Sequence, residues 1–218
     1  MRVGITYDLK DDYIVLGFDK EACAEFDSIE TIDAIDNFLK SRGFKTERIG
    51  NIHALTKALA SGKRWDLVFN IAEGLYGRGR EAQIPALLDA YQIPYVFSDP
   101  LVLALTLDKG LTKRIVRDAG VPTAKFEIIE AGKSGNWEME KKEILDFSSS
   151  QFLEYPLFIK PVAEGTGKGV TAKSLVNNAA QLKQHAQELL THFNQPVLVE
   201  KYLSGREFTV GVTGTGEH

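Results

Sequence analysis

The sequence predicts an α/β protein in which a domain with a parallel sheet precedes a smaller α+β domain. Through the first 122 residues, short apolar segments alternate with amphipathic ones. Strands that are separated by helices pair in parallel through right-handed crossovers. Beyond Pro122, short strands surround one long helix instead. These observations predict a Rossmann-like sheet in the first part and a largely antiparallel set of strands in the second.

Four strands are predicted in the first domain because each is a short apolar run between turn residues. They are expected at residues 2–7, 45–49, 66–71 and 94–97. The third, DLVFNI, is the most hydrophobic of the four.

Five helices are predicted to accompany these strands. The first has an apolar stripe formed by Ile29, Ile32, Ile35, Phe38 and Leu39, with Gly43 as its left-handed C-terminal cap. Its expected N-cap is Asp27, paired with Glu30 in a capping box. The others are expected at 53–61, at 80–91, after Asp99–Pro100, and from Asp108 to a stop near Gly120.

The second domain is predicted to hold five strands and a long helix. The strands are expected at residues 125–129, 157–160, 170–173, 197–202 and 207–213, and the helix at 177–192. Residues 131–135 and 148–150 bracket a polar, weakly patterned region, which is interpreted as a linker or a mobile flap. The last predicted strand stops within a few residues of the end of the chain, so we expect a truncated protein.

Composition and charge exclude several classes of protein. Of 218 residues 44% are hydrophobic, and 26 basic residues are interspersed with 30 acidic ones for a net charge of −4, so no broad basic surface for nucleic acid is expected. Cys23 is the only cysteine, which excludes a disulfide framework and favours the cytoplasm. No apolar run reaches the about 18 to 20 residues of a membrane span, and no signal-peptide pattern is present.

The segment LFIKPVAEGTGKGV at residues 157–170 carries the strongest chemical signal. An apolar strand ends in Lys160, and a turn follows with Gly165, Gly167 and Gly169 at alternate positions. Glycines leave backbone N–H groups free to face phosphate oxygens, and the lysine supplies a positive charge. The spacing is neither G-x-x-x-x-G-K-S/T nor G-x-G-x-x-G. It therefore indicates another kind of nucleotide-binding loop, although a plain hairpin turn is the alternative.

Four segments resemble one family in their order and spacing. They are residues 70–109, LDKGLTKRIVRDAGVPT at 107–123, IKPVAEGTGKGV at 159–170 and LVEKYLSGREFTVGV at 198–212. All four are similar to the D-alanine–D-alanine ligase branch of the ATP-grasp superfamily. The resemblance implies a pre-ATP-grasp domain at 1–122, an ATP-grasp small (lid) subdomain at 123–205, and at 206–218 the start of a C-terminal ATP-grasp subdomain whose remainder is missing.

The resemblance also implies an ATP site. Lys109 and Lys160 match the family's two phosphate-contacting lysines, and Glu207 matches its ribose-binding acid. The loop over the phosphates corresponds to Glu164, Gly165, Thr166, Gly167, Lys168 and Gly169, and the adenine-binding hinge to Glu200, Lys201, Tyr202 and Leu203. As single residues, the lysines could equally be solvated, and the two acids could be ordinary charges on edge strands.

The activity that the resemblance implies is ATP-dependent joining of a carboxylate to an amine through an acyl phosphate, as in peptidoglycan biosynthesis. The family's Mg²⁺ ligands correspond to positions downstream of residue 218. No metal ligand is therefore expected in this chain, and we expect it to be inactive alone. A homodimer through the first domain is also implied, with ATP and a small amino acid as ligands.

Two departures from the family concern the substrate. The family's N-terminal motif, a glycine-rich turn with an acid, a base and a serine, is not found here. Glu73–Gly74 stands where the ligases have a histidine and a glycine, and Arg78 and Arg80 follow. These four residues are candidates for binding a different amino acid or a carboxylate-rich acceptor. The alternative is a solvated loop whose charges pair with one another.

Three interpretations of the function remain open at this point. The first is a ligase of the D-alanine–D-alanine type, or one for another amino acid or dipeptide. The second is a carboxylase or carbamoyl-transfer relative, although no anchor for biotin or bicarbonate is visible. The third is a non-catalytic nucleotide-binding module.

Overall fold

The computed structural model describes residues 1–130, 154–212 and 214, and these form two sheets with helices against them. The first sheet has three parallel strands in the order β2–β1–β3. They are β1 at Arg2–Thr6, β2 at Lys45–Gly50 and β3 at Leu67–Asn70. The predicted parallel sheet is confirmed.

The centre of this sheet is tightly packed. Val3 and Ile5 on β1 are at most 1% exposed. Between them, a Cβ on Gly4 would lie 2.5 Å from Ile49 Cδ1, so a larger residue does not fit. The fourth predicted strand, at 94–97, is reduced to one parallel bridge between Val68 and Tyr95. Pairing stops there because Phe97 turns away with a φ of 74°.

Six α-helices surround or follow the parallel sheet. They are α1 at Lys10–Val15, α2 at Ile29–Ser41, α3 at Ile52–Ala60, α4 at Gln83–Ala90, α5 at Pro100–Leu107 and α6 at Lys109–Asp118. The predicted helix at 80–91 is divided, because Arg80–Ala82 forms a 3₁₀ turn before α4. The caps of α5 and α6 are confirmed: Asp99 accepts from Val102 N at 2.9 Å and Asp108 from Leu111 N at 3.0 Å.

Two expectations about α2 are wrong. Its N-cap is Ser28 instead of Asp27, and the cap makes no side-chain hydrogen bond. Asp27 is held outside the helix because its backbone pairs with Leu9 in a parallel bridge, so the predicted capping box with Glu30 is not formed. Phe38 is 64% exposed and does not belong to the buried stripe. Gly43 does have the predicted left-handed conformation, with a φ of 85°.

The second sheet is antiparallel, as predicted, with the order β4–β7–β5–β6. Its strands are β4 at Phe126–Ile129, β5 at Leu157–Pro161, β6 at Leu175–Val176 and β7 at Val197–Lys201. Helix α7 at Ala179–Phe193 packs on one face through Leu182, Leu189 and Leu190. This core is separate from that of the first sheet.

Two predicted strands of the second domain are wrong. Residues 170–173 do not form one: Ala172–Ser174 is a 3₁₀ turn, and Thr171 and Ser174 cap each other's backbone before β6 begins. Residues 206–212 are exposed and not in a strand. The predicted linker or flap at 131–135 and 148–150 lies outside the described residues. No helix in the described ranges has the length and apolar character to cross a membrane.

Helix α6 joins the two sheets. It follows the helices of the first domain and packs on β4 of the second sheet, where a Cβ on Gly110 would lie 2.8 Å from Ile128 Cδ1. The glycine therefore permits the helix to approach the strand. As a result, Lys109 at the start of α6 lies beside the end of β5.

A buried carboxylate ties α2 to the parallel sheet. Asp36, with a side chain that is 3% exposed, accepts from Thr46 Oγ1 at 2.5 Å, Lys40 Nζ at 3.0 Å and Arg48 Nε at 2.7 Å. Burial alone raises the pKa of Asp36, but these hydrogen bonds outweigh it and lower the pKa to about 2.

We expect Asp36→Asn to lower the free energy of unfolding by about 2 kcal/mol at pH 7, as measured by urea denaturation. Because the folded pKa lies below the unfolded one, this stabilisation is present above about pH 4 and is lost as the pH falls toward 2. Asp33→Asn is the matched control, since Asp33 is half-exposed and bonds Arg48 alone. A constant difference between wild type and Asp36→Asn from pH 5 to pH 2 would contradict the prediction.

Candidate functional site

A cavity of about 420 Å³ opens at the edge of the second sheet, beside the end of β7. Six of the residues predicted to bind a nucleotide line it, namely Lys160, Glu200, Lys201, Tyr202, Leu203 and Glu207. The structure thus brings together residues that lie up to 47 positions apart. Lys113, Thr123 and Phe158 complete the walls and were not predicted.

Glu200 is the electrostatic centre of this cavity. It accepts from Lys160 Nζ at 2.7 Å and from Lys113 Nζ at 2.8 Å. Burial raises the pKa of Glu200, but the hydrogen bonds from the two lysines outweigh it and lower the pKa. Because β7 lies between β4 and β5, the alternative that Glu200 is an edge-strand charge is wrong.

Lys113 could have been found from its position in the sequence. It lies one helical turn after Lys109 in the segment LDKGLTK and therefore projects from the same side of α6. Its ammonium also donates to Thr123 Oγ1 at 2.7 Å, at the start of the second domain. The helix thus places one lysine at each end of the candidate site.

An aromatic wall lines the same cavity. Phe158 and Tyr202 lie nearly parallel, with ring centroids 6.3 Å apart and planes at 24°. The ammonium of Lys160 lies 5.6 Å from the Phe158 centroid. Leu203 follows at the mouth and is 66% exposed. A planar apolar ligand could pack there. Glu207 lines the mouth from the exposed segment that follows β7.

Lys109 reaches this region from the first domain. Its backbone N donates to Val162 O at 3.1 Å, and its ammonium donates to Glu164 O. Burial lowers the pKa of Lys109, and the nearby charge of Lys160 lowers it further. The two predicted lysines, one on α6 and one on β5, are therefore close enough for their charges to repel each other, although Lys109 is not among the residues that line the 420 Å³ cavity.

The glycine turn leaves β5 between these lysines. Thr166 and Gly167 are exposed at its tip, with φ values of 50° and 72°. At its end a Cβ on Gly169 would lie 2.5 Å from Pro161 Cγ, so this glycine is needed for packing. The turn leads into the 3₁₀ segment before β6, and because β5 and β6 pair antiparallel, the turn is also a long hairpin connection.

Side chains at the base of the turn are also paired. Lys168 donates to Glu164 at 2.9 Å, and Gln195 Nε2 donates to the same carboxylate at 2.6 Å. The amide N of Ala163 donates to Gln195 Oε1 at 2.7 Å. Gln195 precedes β7, so the second domain supports the turn from one side.

The four candidate substrate residues lie in the first domain, near the turn. Arg80 is buried and donates to Glu25 at 2.7 Å, and Arg78 is 84% exposed at the side chain and pairs with Asp108 at 2.9 Å. The arginines therefore do not pair with Glu73, and the alternative of a solvated loop of mutual ion pairs is wrong. Glu25 is a functional candidate that sequence reasoning missed, because it lies in an unpatterned insertion.

Glu73 and Gly74 lie on opposite sides of this loop. Glu73 lines a cavity of about 340 Å³ with Glu25, Asp27 and Glu81. Burial raises the pKa of Glu73 to about 7, and repulsion from Glu81 and Glu25 adds to the effect. Gly74 has a φ of 71° and a backbone N that donates to Asp8 Oδ2 at 2.8 Å. It faces a second cavity of about 400 Å³ that Arg78, Arg80 and Lys168 also line.

The acids nearest the glycine turn do not fit a magnesium site. Glu164 is tied to Lys168 and Gln195, and Glu200 to Lys113 and Lys160. Among the described residues there is no group of three histidine, cysteine, aspartate or glutamate side chains that could hold a metal. That the ligands lie downstream of residue 218 stays a prediction.

Comparisons with known proteins agree with this geometry. A family profile described as "D-ala D-ala ligase C-terminus" matches residues 115–218. An uncharacterized protein, y4sG, of Sinorhizobium fredii is 36% identical over 151 residues, covering 69% of this chain and 40% of its own. A D-alanine–D-alanine ligase of Xanthomonas axonopodis is 33% identical over 176 residues, covering 81% of this chain and 51% of its own.

Solved structures show the same fold. The D-alanine–D-alanine ligase of Bacillus anthracis has a TM-score of 0.67 at 21% identity, covering 94% of this chain and 58% of its own. The same enzyme has been solved in complex with ATP, with a TM-score of 0.59. This chain thus spans about half the length of the relatives it matches. By sequence and by fold, the chain is D-alanine–D-alanine ligase-like and belongs with the ATP-grasp ligases.

Proposed function

We propose that the whole protein is an ATP-dependent carboxylate–amine ligase and that this chain supplies its nucleotide site. One observation carries the proposal. Lys109 from the first domain bonds to the base of a glycine turn, and Lys160 from the second domain, whose charge acts on Lys109, lines a cavity with an aromatic wall. A triphosphate needs such convergent cations, and a base needs such a wall.

The nucleotide's position follows from the chemistry of the walls. The base would pack against Tyr202 and Leu203, with backbone groups of residues 200–203 at its edge. Glu207 at the mouth would accept hydrogen bonds from the vicinal ribose hydroxyls. The triphosphate would then extend past Lys160 toward Lys109 and the free N–H groups of the turn. A structural neighbour from Bacillus anthracis has been solved in complex with ATP, which supports ATP as the ligand.

The reaction that we propose has two steps. A carboxylate oxygen of the first substrate attacks the γ-phosphorus of ATP, and ADP leaves, which produces an acyl phosphate. The amine of the second substrate then attacks the acyl carbon, loses a proton and displaces phosphate. Lys109 and Lys160 would stabilise the charge on the transferred group, since charges act strongly in a half-buried site. Mg²⁺ ligands are proposed beyond residue 218, and this chain alone is proposed to be inactive.

A ligase for an amino acid other than D-alanine is the second candidate. The observation that favours it is Glu73, an acid with a pKa raised to about 7, at a position where the family resemblance implies a histidine. A carboxylate attracts a cationic or hydrogen-bond-donating group that a neutral imidazole does not select in the same way. On the family relationship alone we also propose a cytoplasmic homodimer and, for D-alanine as substrate, a role in peptidoglycan biosynthesis.

We expect Lys160→Met to weaken ATP binding to this chain by about 10- to 100-fold, since a hydrogen bond to a charged group contributes about 1.5–3 kcal/mol. Isothermal titration calorimetry measures the change. Glu200 keeps its bond to Lys113, so the fold of the cavity is retained. The matched control is Lys173→Met, which removes an equal charge from an exposed lysine paired with Glu188 on α7. Equal affinities of the two variants would refute the assigned role of Lys160.

Phosphate release by the whole protein tests the reaction itself. With ATP, Mg²⁺ and a panel of D- and L-amino acids, we expect release only when a suitable amino acid is present, and none from residues 1–218 alone. Release with D-alanine supports the first candidate, and release with another amino acid alone supports the second. Tight ATP binding without release in any mixture would overturn the ligase and indicate a nucleotide-binding module.

A further inference from the structure

The start of the glycine turn is held by side chains of the first domain. Three successive carbonyls of the turn accept hydrogen bonds from backbone and side-chain groups of the first domain. Val162 O accepts from Lys109 N at 3.1 Å, Ala163 O from Arg80 Nη1 at 2.9 Å, and Glu164 O from Lys109 Nζ. The next backbone group, Gly165 N, donates to Glu25 Oε1. Residues 162–165 are thus bonded at each position to a chain segment 50 or more residues away in sequence.

Glu25 and Arg80 form one unit behind this segment. Arg80 Nη2 donates to Glu25 Oε2 at 2.7 Å, and the two side chains are 9% and 4% exposed. Each side chain also bonds to the turn. Arg80 Nη1 donates to Ala163 O, and Glu25 Oε1 accepts from Gly165 N. Because a buried ion pair depends on every partner being present, loss of either residue leaves a buried charge and releases the turn.

The approach between turn and ion pair is as close as a glycine allows. A Cβ on Gly165 would lie 2.8 Å from Glu25 Oε1. This contact requires the smallest residue where the turn begins, while Thr166 and Gly167 remain exposed at the tip. The turn is therefore fixed at its base and free at its tip.

We infer that Glu25 and Arg80 are positioning residues that fix the glycine turn for the polyphosphate of the nucleotide. The inference rests on the proposed function. A turn already held in place loses less conformational entropy when phosphates bind, so the ion pair contributes to their affinity without touching them. The aromatic wall and Glu207 belong to the second domain and do not depend on this pair. The pair therefore acts on the triphosphate and not on the base and ribose.

The first test follows amide hydrogen exchange without nucleotide. In Glu25→Gln we expect exchange at residues 163–169 to be at least about 10-fold faster, since a charge-assisted contact is lost, while the strands of the parallel sheet keep the wild-type rate. The control is Asp36→Asn, which breaks a buried carboxylate–arginine contact elsewhere in the same domain. Acceleration confined to the turn supports the inference, and uniform acceleration throughout the chain overturns it.

The second test compares affinities for ATP and AMP by calorimetry. Glu25→Gln should weaken ATP binding by about 10-fold, which corresponds to about 1.4 kcal/mol, and change AMP binding less than about twofold. Asp36→Asn should change neither. Arg80→Lys keeps the positive charge but lacks the guanidinium group that bonds both Glu25 and Ala163. It should therefore also weaken ATP binding, and it replaces Glu25→Gln in the test if that variant does not fold.

The outcomes separate this inference from the proposed function. If the wild-type chain binds neither nucleotide, the proposed nucleotide site is overturned, whereas the exchange experiment still decides whether Glu25 and Arg80 hold the turn. If the wild type binds ATP but the variants lose ATP and AMP affinity equally, or lose neither, the nucleotide site stands and the positioning role is overturned.

Discussion

The candidate site depends on the positive charge of Lys109, which a helix of the first domain places beside the second sheet. Lys109 begins α6, the last helix of the first domain, and its ammonium lies at the end of β5 in the second. Burial and the neighbouring Lys160 both disfavour a charge there. The protein offsets this cost with the carbonyls of Val162 and Glu164. Under the proposed function, a polyphosphate would offset this cost further.

The lysines near Lys109 are paired with acids, and a ligand could take the place of an acid as the partner of a lysine. Lys160 and Lys113 share Glu200, so Lys160 can turn toward a phosphate while Glu200 keeps a partner. Lys168 is bonded to Glu164, whose other oxygen is held by Gln195. The acids therefore keep the lysines oriented, and none of them is left buried without a partner when a lysine moves. Such pre-orientation lowers the cost of forming the complex.

Sequence patterns predicted the parts of the fold that local interactions determine. The parallel and antiparallel sheets, the caps of α5 and α6 and the left-handed Gly43 are set by periodicity and by cap chemistry within a few residues. The errors occur where distant contacts decide: Asp27 is drawn out of its cap by pairing with Leu9, and the strand expected at 94–97 ends when Phe97 leaves the extended conformation. Residues 206–212 have a strand-like pattern, but in the described chain no strand pairs with them.

The sequence by itself determined the chemistry of the site: two lysines, a glycine turn and an acidic hinge in an order that matches one family. Only the tertiary structure decided which charges meet. Glu25 lies in an unpatterned insertion and Lys113 is marked only by its helical spacing from Lys109, yet Glu25 touches Gly165 and Lys113 touches Glu200. The reason is physical, since these contacts depend on distances of a few ångströms between groups that the chain separates by 87 or 140 residues, and no local pattern specifies such distances.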